Sequence, residues 1–570
     1  MADVLITPIL YSDICGTKPS IGDLIEIVRT PEWRLVPSRC IGIAALSWQH
    51  GIEDPEHQYR LFRDFGVRLL YGAALDSRLR KNSQQRLYTR ESLLAVLRIA
   101  VVNKTDPGTI LSDLEFADVF HKAVLMANEL IADELNPEVV TNGPKDFLAT
   151  ELRSILAQQQ NPHDLIARTN ALFEWNETPR AAAHGGVLPL RSDFEQVTGL
   201  SPEEFAAATY LALSRAAAMI TWDNFALHGP AFNPNDWLQS QGVVNKAPMI
   251  SWYKRHTVSL AKARSDWTSE TSLSFAGAGP LWKKPMVEDD DGLLFMPSPF
   301  FVANMLGDGA YFELFDGYGD RNTQFSTLYG HFFQDYIEDR FRSGYEGRPE
   351  VAIWADVPYP GGDSSDVIIS EAGHVIFIEV VAKRMQLVGS VLRLDEKAIA
   401  DDLRLGVIEK LEQLRDNIAA FRKGTLLPEI DRVPGQRIYP VLVAPREWPR
   451  IYLLLHLLKE APYAELFVDC EPVEFLDVGE VESLEARLQL GMRLAELLDR
   501  KNKSTPQNRA LSLHNYLTVV EPGTYPIRTT PIREKGGDLA KKLMEIATSW
   551  GNQSPTVPDE GSGAGAPPNA

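Results

Sequence analysis

Cysteine is nearly absent from this chain: Cys15, Cys40 and Cys470 are the only three in 570 residues, and they stand far apart. That excludes a disulfide framework and a thiolate zinc site, and the thiols read as small buried hydrophobes of a protein kept in a reducing compartment. Long hydrophobic runs are lacking too. The opening MADVLITPIL has no basic stretch leading into an apolar one, and IGIAALSW is too short to cross a bilayer, so a cytoplasmic protein without a membrane partner is expected. Several chemical signatures are missing as well: a glycine loop ending in Lys-Ser or Lys-Thr, HExxH, a Cys-x-x-Cys pair and a strand-flanked nucleophile elbow. Phosphate-cradle ATPases, zinc proteases and elbow hydrolases are thereby set aside.

Positive charge is in deficit. Lys and Arg number 57 against 77 Asp and Glu, and the net charge of -20 repels nucleic acid and anionic membrane at long range. The deficit is uneven. Residues 1–320 carry 28 basic and 40 acidic side chains, a net of -12, whereas residues 321–460 carry 18 and 21, a net of -3. Any polyanion site is therefore expected in the nearly neutral middle segment.

The pattern along the chain implies a multidomain protein. Residues 1–284 read as a mainly α-helical region, regulatory or partner-binding, with apolar residues at helical spacing in ESLLAVLRIAVV, FADVFHKAVLMANELIADEL and EEFAAATYLALSRAAAMI. Asp106-Pro107-Gly108 and Gly229-Pro230 break it, and no fixed-period repeat is present. Residues 285–324 read as a β-hairpin and connector, with Asp289-Asp290-Asp291-Gly292 at the turn. Three adjacent aspartates invite a metal, but they lack the alternating spacing of a calcium loop, and an acidic turn is the plainer reading.

From 325 to 500 the texture becomes α/β with a mixed sheet. A helix from Leu328 to Phe341 precedes strands at EVAIWADV, DVIIS and HVIFIEVVAK. A helix with the seam Leu403, Val407, Leu411, Leu414, Ile418 and Phe421 follows, and then the strand RIYPVLVA. Residues 501–550 read as a C-terminal extension and 551–570, rich in Gly, Pro and Ser, as a disordered tail.

Two carboxylates enter this apolar sheet from adjacent strands. Asp366 opens one strand, and Glu379 shares a face of the next with Val375, Phe377 and Val381 by two-residue alternation. Charge in such a place is costly unless it is paired, and converging carboxylates call for a hard divalent cation such as magnesium. Ser365-Asp366, a short hairpin and Ile378-Glu379-Val380, preceded by Gly330-His331-Phe332-Phe333-Gln334-Asp335-Tyr336 on the opening helix, resemble the PD-(D/E)xK (restriction-endonuclease-like) nuclease superfamily over about residues 328–445.

The resemblance implies that Asp366, Glu379 and the carbonyl of Val380 hold Mg2+, with Mn2+ as a substitute. It also implies metal-dependent phosphodiester hydrolysis of nucleic acid, DNA in the first instance, in a setting such as defence against foreign DNA. Two positions depart from the family pattern: Gln334 stands where a helix glutamate is usual, and Val381 where the motif lysine is usual. Lys383 lies two residues farther on, about 6.6 Å along the strand on the same face, and is the expected replacement cation. Lys410, in a polar stripe with Gln413 and Asn417 on the following helix, is the other source.

Weaker candidates are Glu338, one turn beyond Gln334, and His331 and His374 near the motif. The basic clusters Arg78, Arg80, Lys81, Arg86 and Arg500-Lys501-Asn502-Lys503 admit a nucleic-acid contact or a solvated helix end. The alternative to a nuclease is an inactive nuclease fold serving as a nucleic-acid or protein-binding module. A third possibility is a protein scaffold.

Overall fold

The computed structural model describes residues 7–50, 56–60, 72–81, 85–103, 108–134, 161–219, 231–386, 390, 395–449, 467–520 and 530–552, apart from gaps of one to three residues within them. The breaks at 106–107 and 229–230 and the tail from 553 onward lie outside these residues. The described chain is mostly helical, with two mixed sheets of five and three strands.

The N-terminal helices form where the sequence supplies both a cap and an apolar surface. Thr89 caps Arg90–Val102 by accepting from Ser92 N at 3.0 Å, and that helix is buried on nearly every side. Helix α1 (Pro162–Asn176) begins with proline in its first turn and with Asn161 accepting from His163 N at 2.9 Å. The hairpin expected at 285–296 is present as Met286–Glu288 and Leu294–Phe295, with Thr257–Ser259 added as a parallel third strand. Its aspartates serve the turn: Asp289 Oδ1 accepts from the N–H groups of Asp291 and Leu293 at 3.0 and 2.9 Å, and Arg34 pairs with Asp291.

Helix α2 (Asn322–Gly344) leads into the five-stranded sheet, whose strands are β1 (Ala352–Trp354), β2 (Val367–Glu371), β3 (His374–Val380), β4 (Ile438–Ala444) and β5 (Glu474–Asp477). The spatial order is β5-β4-β3-β2-β1. The first three strands run antiparallel and the last two parallel to β3. Helix α3 (Glu409–Lys423) crosses between β3 and β4, and α4 (Val478–Gln489) follows β5.

Alternation along the strands sorts the two faces. Ile376, Ile378 and Val380 join Val367, Ile369, Val441 and Val443 on the face that packs with Phe332, Ile337 and Phe341 of α2. Val375, Phe377 and Ile368 face Leu414, Ile418 and Phe421 of α3. Each such fully buried side chain contributes roughly 1.5–3 kcal/mol.

The core does not stop at residue 284. One cluster of buried side chains runs from Ile9 through the α2 face of the sheet to Trp550. Helix α5 (Pro531–Asn552), inside the stretch read as a C-terminal extension, turns back to pack against α1 and the helix Pro202–Met219. Polar ties reinforce the join. Arg168 of α1 binds Glu482 of α4 through two hydrogen bonds of 2.6 and 2.7 Å, and Tyr336 of α2 donates to the same carboxylate at 2.7 Å.

Two expected strands are shorter than the sequence suggests. EVAIWADV is strand only at 352–354, because Asp356 takes a left-handed backbone, φ 49°. HVIFIEVVAK ends as a strand at Val380.

Candidate functional site

The antiparallel register pairs Ile378 with Val367, so one step further along it Asp366 stands across from Glu379 at the end of β3, and both carboxylates face α3. Asp366 is held from three sides. Its Oδ2 accepts the N–H of Val380 at 2.6 Å and an ammonium proton of Lys410 at 3.1 Å, and its Oδ1 accepts from Gln334 Nε2 at 2.6 Å. Glu379 is 2% exposed, and Lys410 donates to its Oε2 at 3.0 Å while Asn417 donates to its Oε1 at 3.1 Å. Asn417 also donates to Ser365 Oγ at 3.2 Å.

Lys410 and Asn417 lie seven residues apart on one face of α3, which is two helical turns, and this spacing aims both at the end of β3. A π-helical turn, Arg404–Ile408, immediately precedes Lys410 and has Gly406 against the ring of Trp448. A Cβ at Gly406 would lie 2.3 Å from a ring carbon, so glycine is what allows this close approach. Such turns offset the side-chain register of the helix that follows.

Charge is strained here. Burial, then the charge of Asp366, pushes the Glu379 carboxyl up to about 8 against the opposing pull of Lys410. Burial also opposes the charge of Lys410, but the two carboxylates outweigh it and hold the ammonium above the ordinary lysine value.

The sequence expectations fare unequally. Asp366, Glu379, Gln334 and the N–H of Val380, rather than its carbonyl, meet at one place, and Lys410 meets them there. Lys383 does not. Its Nζ lies 3.2 Å from Asp402 Oδ1, because the chain leaves strand geometry after Val380 and the alternation that would align Lys383 with Glu379 no longer applies. Gln334 presents its amide nitrogen to Asp366, so it steadies that carboxylate without adding charge. Glu338 is buried between Arg180 and Arg342 and serves as their counter-ion.

His374 opens β3, five residues from Glu379 and so about 16 Å along the strand. The basic clusters are largely absorbed by structure: Arg86 and Lys501 are buried, Lys501 donates to Glu474 at 2.6 Å, and Arg78 and Lys503 pair with Asp13 and Asp499. The side chains of Arg80 and Lys81 lie outside the described residues.

Sequence reasoning missed His184. Its ring stacks on that of His331 with centroids 4.3 Å apart, and its Nε2 lies 3.3 Å from Asp335 Oδ2. Asp335 is buried and also takes Trp175 Nε1 at 2.8 Å and Arg180 Nε at 2.7 Å. The N-terminal region thus grips α2 one residue from Gln334. No local signal announces a contact spanning some 150 positions of sequence.

Gln334, Val380, Lys383, Gly406 and Lys410 border an open pocket of about 200 Å³. Among the described residues no three His, Cys, Asp or Glu side chains are grouped to hold a metal. The donor set nevertheless suits magnesium. Two carboxylate oxygens converge on one ammonium nitrogen at 3.0 and 3.1 Å, a place already built for a cation, and magnesium is commonly held by one or two carboxylates with water completing its shell. No protein-family model, curated protein or solved structure matches the chain. Among the described residues no helix is long and apolar enough to cross a membrane.

Proposed function

We propose that this chain is a metal-dependent nuclease that hydrolyses phosphodiester bonds, with DNA as substrate. On this reading the helix, three antiparallel strands, helix and parallel strand of residues 322–444 are a PD-(D/E)xK core joined to a helical region. The observation that carries it is the convergence of Asp366 and Glu379 on Lys410 beside an open pocket. Magnesium held by the two carboxylates would polarise the phosphate and lower the pKa of bound water.

The side chains do the rest. Val380 N–H and Gln334 fix the orientation of Asp366, and Asn417 fixes Glu379. Lys410, within hydrogen-bond distance of both carboxylates, would position the attacking water and offset charge developing on the phosphate. His331, in the same pocket, has its imidazole held below the usual histidine value by burial and by its neighbour His184.

The test is incubation of pure protein with circular DNA, linear DNA and RNA in magnesium, manganese or chelator. Cleavage that needs the metal supports the reading. Binding without cleavage in every metal favours the second reading, an inactive fold used for binding. That reading draws on Val381 at the motif lysine position and on an ammonium already closing the carboxylate pair.

A further inference from the structure

A second concavity, of about 690 Å³, adjoins the pocket bordered by Gln334 and Lys410 and shares Thr327, Ala382 and Lys383 with it. Its two walls differ in chemistry. On one side Phe312 and Phe315, both half-buried, project from the helix Ala310–Tyr318, with Tyr311 stacked on Phe315 at 5.9 Å between centroids. On the other side Thr323, Ser326 and Thr327 come from the first two turns of the 23-residue α2 and present hydroxyl groups.

The cations in the lining are Lys283, Lys383 and Arg384, alongside Asp316, Met385 and Gln386. Each cation is engaged with a carboxylate, of Asp316, Asp402 and Asp308 respectively, so the concavity is balanced in charge. An apolar small molecule would leave the hydroxyls and cations without a use, and a purely ionic ligand would leave the rings without one. A nucleotide chain uses both, with bases against the rings and phosphates against hydroxyls and ammonium groups. In a duplex the base faces are hidden by stacking, so rings in a groove meet them only on an unpaired strand.

We propose that this groove seats a single-stranded stretch of nucleic acid and leads it to the adjoining pocket beside Lys410. The inference rests on the nuclease reading for the identity of the pocket. It deepens that reading by naming an unpaired strand as the substrate class. Because every lining cation already has a partner, stacking carries most of the affinity and salt weakens binding little.

The experiment uses the full chain in chelator, which permits binding without turnover, and measures fluorescence anisotropy with labelled oligodeoxyuridylate and oligouridylate of about 12 nucleotides and a blunt DNA duplex of equal length. The single strands are expected to bind about tenfold or more tighter than the duplex, with a log-log salt slope of about -2 or shallower. Whichever single strand binds tighter identifies the sugar. The double variant Phe312→Ala, Phe315→Ala should lose about tenfold or more of single-strand affinity with duplex binding unchanged, and Phe315→Tyr should keep it.

Equal binding of single strand and duplex, or unchanged affinity in the double variant with an intact melt, overturns the inference. If the double variant does not fold, Phe315→Ser and Thr327→Lys take its place, and unchanged affinity in both is equally decisive against it. Cleavage of duplex by wild type together with such a result leaves the nuclease reading standing and removes only the groove. Ring-dependent single-strand binding with no cleavage in any metal does the reverse.

Discussion

Lys383 and Asp402 form an ion pair, Nζ 3.2 Å from Oδ1, in which the carboxylate is wholly buried. Asp402 also accepts from Gln386 N at 2.8 Å and from the Ser390 hydroxyl at 2.5 Å, and Trp448 Nε1 donates to the carbonyl of Lys383 at 3.1 Å. The lysine nearest the motif in sequence therefore pins the segment leaving β3, and the distant Lys410 serves the carboxylates.

Lys410→Ala is accordingly expected to lower the cleavage rate by about a hundredfold or more, because it removes a charge from the reacting centre. Lys383→Ala is expected to lower stability by about 1–3 kcal/mol through the buried acceptor it leaves without its cation. Single-turnover cleavage and denaturant melts of both variants check this. A catalytic loss in Lys383→Ala without a stability loss would reverse the two roles.

Substitution of the two carboxylates should separate folding from metal binding. Asp366→Ala leaves the Val380 N–H unpaired and is expected to cost about 1–3 kcal/mol. Glu379→Gln mimics the protonated acid that burial and Asp366 already favour up to about pH 8, so its melting temperature should stay unchanged or rise. Calorimetric titration should find magnesium binding lost in both. Retained binding in either one would remove that residue from the metal site.

His121 sets a pH limit on the helical region. It is buried, with one ring nitrogen 2.7 Å from Tyr88 Oη and the other 2.6 Å from the Ala117 carbonyl, and burial pushes its pKa down to about 4 from 6.5. The unfolded chain binds a proton that the folded chain refuses. The stabilisation is therefore complete above pH 6.5 and disappears as pH falls toward 4, a change of about 3 kcal/mol. Denaturant melts of wild type and His121→Gln at pH 7.5 and pH 4.5 should differ in their pH dependence by about that amount. Parallel pH profiles would show that His121 carries none of it.

The π turn before Lys410 offers a fourth test. Gly406→Ala puts a methyl group into the Trp448 ring, and such overpacking typically costs about 1–3 kcal/mol. Because Gly406 and Lys410 border the same pocket, cleavage should fall along with stability, and intrinsic tryptophan fluorescence should report the ring's displacement. Wild-type cleavage in Gly406→Ala would mean that the turn does not position Lys410.

Part of this arrangement was legible one residue at a time. The two-residue alternation of HVIFIEV put Glu379 on the face of Val375 and Phe377, and the seam of Leu411, Leu414, Ile418 and Phe421 put a helix over that face. The hairpin between Glu371 and His374 then placed Asp366 across from Glu379. These follow from periodicity and register, which neighbouring residues set among themselves.

The choice of lysine was not legible, nor was the grip of Trp175, Arg180 and His184 on Asp335. Extrapolating the strand to Lys383 assumed that β3 continues past Val380, but the backbone there is drawn off by Asp402 and Trp448. Lys410 reaches the carboxylates because a π turn and the height at which α3 crosses the sheet bring it there. Local patterning fixes which face of an element a side chain occupies. Where along that face two elements meet depends on packing between residues far apart in the chain, and only the tertiary structure decided it.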